Sequence, residues 1–184
     1  MPSAVIDACC LIDLLASGHA EAILRAATFD WHVPVAVQSE VQFVRQYDPQ
    51  QPGQTIAVAA DFAPLLSVAA LRVCQPENSQ ELTRFTQYAA VFRSDGEAMC
   101  LAIAESRGWS VATDDRKAIR TGQAASLTVV SCPELVKKWA DAALPTEPVL
   151  HQALKDIQFL AQFRPNSSMP CYKWWNDQLA KAGP

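Results

Sequence analysis

Residues 94 to 120 read "SDGEAMCLAIAESRGWSVATDDRKAIR". The apolar run "GEAMCLAIAESRG" predicts a helix closed by Gly108. "WSVAT", residues 109 to 113, predicts a short buried strand, and "DDRKAIRTG" predicts a second helix closed by Gly122. A helix that feeds a short apolar strand, which hands over at once to another helix, is a unit of a parallel α/β sheet. Carboxylates stand at both junctions. Asp95 and Glu97 sit where the first helix starts, and Asp114 and Asp115 where the strand ends.

The same grammar extends toward the N-terminus. "VIDACCLIDLLA", residues 5 to 16, follows a predicted strand over 2–7 with a helix over 8–16, and Asp7 stands at the junction. Ser17-Gly18 stops that helix, and a second one covers about 19–28. "WHVPVAV", 31 to 37, is the next predicted strand. "QSEVQFV" after it predicts a helix capped by Ser39 with Glu40 in its first turn. "YDPQQPGQ", 47 to 54, is a loop. Residues 55–60 and 70–74 are predicted strands with the short helix "FAPLLSV" between them, and Pro76-Glu77-Asn78-Ser79 opens a helix reaching about Phe92. "LTVV", 127 to 130, is the last strand. The fold class expected is a three-layer α/β/α arrangement around a mostly parallel sheet over residues 1–130.

From Ser131 onward the pattern is helical only. "PELVKKWADAA", "EPVLHQALKDIQFLAQF" and "CYKWWNDQLAKA" are amphipathic segments, read as a helical extension over 131–184 packed on the sheet domain. The pair Trp174-Trp175 either stacks on bases or, as such pairs more often do, anchors the last helix on the core.

The chain has 184 residues, half of them hydrophobic, enough for one domain with an appendage. It contains no apolar run long enough to span a membrane and no basic stretch before an apolar N-terminal run, so neither a span nor a secretory signal is expected. The six cysteines include no C-x-x-C pair and several lie in apolar runs, so free thiols in a cytoplasmic protein are expected. A net charge of −4 argues against broad non-specific nucleic-acid binding, though not against a local basic rim.

In parallel sheets, ligand sites form beyond the carboxyl ends of the strands. Asp7, Glu40 and the Asp114/Asp115 pair follow predicted strands, and Asp95/Glu97 open the helix that leads into one. Each could simply cap a helix. Together they would repel unless a cation sat among them. Oxygen ligands without histidine or thiolate select Mg²⁺ or Mn²⁺. Such ions activate water and neutralise charge in phosphodiester displacement, which suggests a metal-dependent nuclease or phosphatase. His19, His32 and His151 fall outside these motifs and are expected as surface or hydrogen-bonding residues.

On these stretches the chain resembles the PIN-domain family over about residues 3–130. "VIDACCLIDLL" is similar to that family's opening motif, "VPVAVQSEVQFV" to its second, and residues 94–120 to its later block. The resemblance implies an endoribonuclease dependent on Mg²⁺ or Mn²⁺. It also implies, for many small members, a toxin held inactive by a small antitoxin. Carried over by position, Asp7 is the first acid, Glu40 the second and Glu97 the third, with Asp95 a capping residue or auxiliary ligand. The fourth is Asp114 or Asp115. Arg93, Thr113, Arg116 and Lys117 are the substrate-contact candidates, and Arg120 lies close by. The chain departs from the pattern in having Ala8 after the first acid, a glutamate as the third, and the C-terminal extension. A protein-binding module that keeps the fold, and a DNA nuclease or phosphatase using the same acids, are the alternatives. A homodimer through apolar helix surfaces is a further expectation.

Overall fold

The computed structural model describes residues 1–68 and 70–181. In chain order, β1 (Ser3–Ile6) leads through α1 (Ala8–Ala16) and α2 (Ala20–Ala26) to β2 (Asp30–Pro34). Next come α3 (Val35–Glu40), β3 (Phe43–Tyr47), β4 (Thr55–Ala59), α4 (Ala63–Ser67) and β5 (Arg72–Cys74). Then α5 (Ser79–Ala89) and α6 (Asp95–Arg107) lead to β6 (Ser110–Ala112), and α7 (Arg116–Ala124) to β7 (Val129–Val130). The helices α8 (Cys132–Ala143), α9 (Glu147–Leu160) and α10 (Tyr172–Lys181) follow.

Five strands form one parallel sheet in the order β5-β2-β1-β6-β7. β1 is central: Val5 pairs with His32 on one side and Val111 on the other. Ala4, Val5 and Ile6 are fully buried, which is why this strand is apolar without alternation. The connections leave β1 toward β2 and leave β6 toward β7, in opposite directions. The order therefore reverses between β1 and β6, where doubly wound sheets open a crevice at their carboxyl ends. α6 packs across β1, β2 and β6, with α5 and α7 beside it, while α1, α2 and α8 pack on one another. This is the expected α/β/α layering.

The local corrections have physical causes. Ser39 does not cap a helix: Pro34, with φ −63° and ψ 146°, stands just before α3, so the helix begins directly from β2 and Glu40 is its last residue. Segment 43–47 is a strand, not a helix. It pairs antiparallel with β4 in a separate two-stranded sheet, Phe43 opposite Ala59, so the strand predicted at 55–60 forms outside the parallel sheet. α5 stops at Ala89, because Val91 and Phe92 both donate to the Tyr88 carbonyl, at 2.8 and 2.9 Å, and turn the chain inward. Gly122 does not close α7, which runs to Ala124. It is needed for proximity: a β-carbon there would lie 3.1 Å from Val129 Cγ2. α6 closes at Gly108 as predicted, at φ 66°, but it starts at Asp95 and its N-cap is Ser94, not the expected Asp95.

The C-terminal helices pack on the sheet domain. α8 lies on α2, where Trp139 is buried and stacks on His19 at 4.8 Å between ring centroids. α9 lies on α1 and β3 and buries Leu154 and Ile157 completely. In α10, Trp175 is fully buried against Phe163, whereas Trp174 is half-buried with Lys137 Nζ 5.7 Å from its ring centroid. Ala182, the last residue of the predicted C-terminal helix, lies outside the described residues. All six cysteines are free. His32 Nδ1 donates to the Asp30 carbonyl at 3.0 Å and its ring stacks on Trp109, and His151 is buried in α9.

Candidate metal centre

β1 ends one residue before Asp7, and the backbone N–H of Asp7 continues the ladder to the Ala112 carbonyl at 3.0 Å. Its side chain then serves as N-cap of α1, accepting from Cys10 N at 2.9 Å and from the Cys9 thiol at 3.0 Å. Asp7 is 1% exposed. Burial holds its carboxyl above the ordinary value. Donation from the Thr113 hydroxyl, Cys10 N–H and Cys9 opposes the rise, and the Asp115 charge adds to it.

Glu40 reaches the site from the end of α3. Both its oxygens accept from Ser94 Oγ, at 2.8 and 2.9 Å, and Oε1 accepts from Gly96 N at 2.8 Å. It therefore rests on the N-terminus of α6, where free N–H groups favour an anion. In the same turn, Glu97 is pushed up to about 7. Burial is the main cause, followed by the charges of Asp115, Asp7 and Glu40, with Lys117 opposing. Four carboxylates from four stretches of sequence are thus close enough to repel one another.

The two aspartates after β6 part ways. Asp115 caps α7, accepting from Lys117 N at 2.8 Å and Ala118 N at 2.7 Å, and its charge bears on both Asp7 and Glu97. Asp114 instead accepts from Cys132 N, at 3.0 and 3.2 Å, and so binds the first turn of α8. There it meets Asp13 and Cys132, whose ligand atoms and its own all lie within 4.8 Å of one another. Burial first, and mutual repulsion next, raise Asp13; burial and then Asp7 raise Asp114. Asp13 is 3% exposed, and its Oδ2 has no hydrogen-bond partner.

Asp95 is exposed in the first turn of α6, and Ser94 occupies the cap position. Thr113 is fully buried, and its hydroxyl accepts from Asp115 N at 3.2 Å. Lys117 donates to the Val91 carbonyl and stands 4.9 Å from the Phe92 ring centroid, which ties α7 to the turn before α6. Arg93 and Arg116 are exposed. Sequence reasoning missed Ser94 and Gly96 as the cradle of Glu40. It also missed Asp13, whose only signal is a lone acid inside the apolar run "LIDLL".

Asp7, Glu40, Glu97 and Asp115 offer carboxylate oxygens alone, the donor type that suits a hard divalent ion, whereas the group whose ligand atoms already lie within 4.8 Å of one another, Asp13, Asp114 and Cys132, includes a thiol.

Acidic side chains thus gather where the strand order of a parallel sheet reverses. Comparison with protein families matches residues 4–124 to the PIN domain, and the chain belongs to that family. PIN domains are generally nucleases, typically bind divalent metals, and act on RNA or DNA. A search of curated proteins returns no match. Among the described residues, no helix is long and apolar enough to cross a membrane.

Proposed function

We propose that the chain is an endoribonuclease dependent on Mg²⁺ or Mn²⁺, with Asp7, Glu40, Glu97 and Asp115 as the residues that hold the ion. The observation that carries this reading is geometric: Asp7 stands at the end of β1 beside Ala112, Glu40 is seated on Gly96 N at the start of α6 next to Glu97, and Asp115 opens α7 after β6. When bound, a divalent cation supplies water of lowered pKa and stabilises charge on the scissile phosphate.

The chain's own residues supply position. Asp7 is buried and fixed by three donors, so its carboxylate is held without a search over rotamers. Ser94 and Gly96 seat Glu40 at the start of α6. Asp115 is locked by two backbone N–H groups of α7. Arg93 and Arg116, both exposed beside these acids in sequence, are suited to contact phosphates flanking the bond that breaks. Asp114 lies behind this group and fastens α8.

The test is Asp7→Asn with RNA and DNA substrates of matched sequence. The expected result is a loss of Mg²⁺- or Mn²⁺-dependent RNA cleavage by a factor of about 10²–10³ or more, with circular dichroism unchanged. Undiminished cleavage would overturn the site. Cleavage of DNA alone would favour the second reading of the same acids.

A further inference from the structure

A groove of about 630 Å³ opens beside the edge strand β7 and is not explained by the acid cluster. One wall is a face of α7 carrying Arg116, Arg120 and Gln123, spaced three and four residues apart. The opposite wall is the turn between α9 and α10, around Asn166 and Ser168. Ile119 and Val129 also line it and give it apolar surface. The family match ends at Ala124, so this second wall belongs wholly to the C-terminal extension.

The charges in the groove are unbalanced. Among the described residues neither Arg116 nor Arg120 forms an ion pair. Arg120 Nε donates to the Arg116 carbonyl at 3.2 Å, which holds that side chain along the helix. The one carboxylate in the lining, Glu134, accepts through Oε2 from Ser131 N at 2.9 Å and Ser131 Oγ at 2.7 Å, so it is engaged with the wall. Two uncompensated guanidinium groups in a groove are notable on a chain whose net charge is −4. The opposite wall is held in place: Met169 is buried and its N–H donates to the Asn166 carbonyl at 3.0 Å.

The position is as informative as the charge. Arg116 follows Asp115 directly, and Ser131 follows β7, so the groove begins at the same edge of the sheet as the acids. Strands in a sheet lie about 4.8 Å apart, which sets β7 roughly 10 Å from β1, the reach of one or two nucleotides along a strand.

We infer that this groove seats a nucleotide of the bound single strand to one side of the scissile phosphate. Arg116 and Arg120 take its phosphate, and Ile119 and Val129 support its sugar and base. This rests on the nuclease reading for the register of the strand, but the binding itself is measurable without catalysis. The C-terminal extension thereby becomes part of the substrate cleft.

The experiment measures binding of labelled 12-nucleotide single-stranded RNA and DNA to the full chain by anisotropy, without divalent cation and over a salt series. Arg120→Gln removes a guanidinium from one wall, and Ser168→Glu places a charge on the exposed opposite wall. Lys155→Gln, on the exposed face of α9, is the control. Each groove variant is expected to lose about five- to tenfold in affinity. Arg120→Gln should also lower the slope of log K against log salt by about 0.7, and the control should bind as the parent chain does. Equal losses with RNA and DNA assign the groove to the backbone alone, and a larger loss with RNA assigns it also to the ribose. Unchanged binding in both groove variants, an equal loss in the control, or no binding by the parent chain overturns the inference. If Arg120→Gln loses binding in a chain that cleaves nothing, the nuclease reading fails and the groove stands.

Discussion

At Gly96 a β-carbon would stand 2.4 Å from Glu40 Oε2 and 2.9 Å from its Cδ. Gly96→Ala therefore evicts Glu40 from its seat on α6, while alanine in the helix offers up to about 1 kcal/mol of propensity in return. Because the atom displaced is the end of a flexible, exposed side chain, the melting temperature is expected to hold. Mn²⁺ affinity, read by calorimetry, should fall roughly tenfold. Glu97 makes a second prediction. Its value near 7 lies above the ordinary 4.5, so the folded chain binds more protons than the unfolded chain between those pH values. The stability of the metal-free protein should fall as pH rises from 4.5 to 7. Glu97→Gln should flatten that fall, and saturating Mn²⁺ should offset it. Thermal melts across the range check both. A metal-free melting temperature that rises over this interval would contradict the assignment.

Helices α5 and α6 are joined by a pair drawn from distant turns. Glu81, 2% exposed, accepts from Arg107 at 2.7 and 2.9 Å, and that guanidinium holds its carboxyl below the usual range. Arg107→Ala strands the carboxylate and is expected to cost roughly 3–5 kcal/mol in denaturant unfolding. The contribution of Glu81 is present above its ordinary value and fades as pH falls through the lowered one. At this scale the sequence is a good guide where one element is continuous. Gly108 visibly closes α6, and β1 is legible because every residue after Ser3 is apolar up to the acid. It misleads where tertiary pairing decides. The segment "QFVRQY" has no clear strand alternation, and it is a strand because β4 returns beside it. Asp7, Asp114 and Asp115 were legible as strand-end residues, whereas Glu40 ends α3, which intervenes after β2. Which of Asp114 and Asp115 faces the cluster was not legible, because that depends on the turn after β6 and on where α8 starts.

For the molecule as a whole, the helices beyond residue 130 are part of the core. Leu135, Val136, Leu154, Ile157 and Trp175 are all fully buried. Trp175→Ala is expected to destabilise by about 3–5 kcal/mol. A fragment of residues 1–130, expressed alone, should partition into the insoluble fraction, because it bares the faces of α1 and α2 that α8 and α9 cover. Sedimentation of the lysate settles it, and a soluble fragment with a cooperative melt would make the extension a mere attachment. The feature that joins the two regions is a single step of backbone. Asp114 grips the start of α8, and its neighbour Asp115 turns its charge toward Asp7 and Glu97. Point changes on either side can be absorbed separately, but a one-residue insertion or deletion between Ala112 and Arg116 would exchange the two orientations. This junction is therefore a place where the length of the chain is constrained as tightly as the identity of its residues.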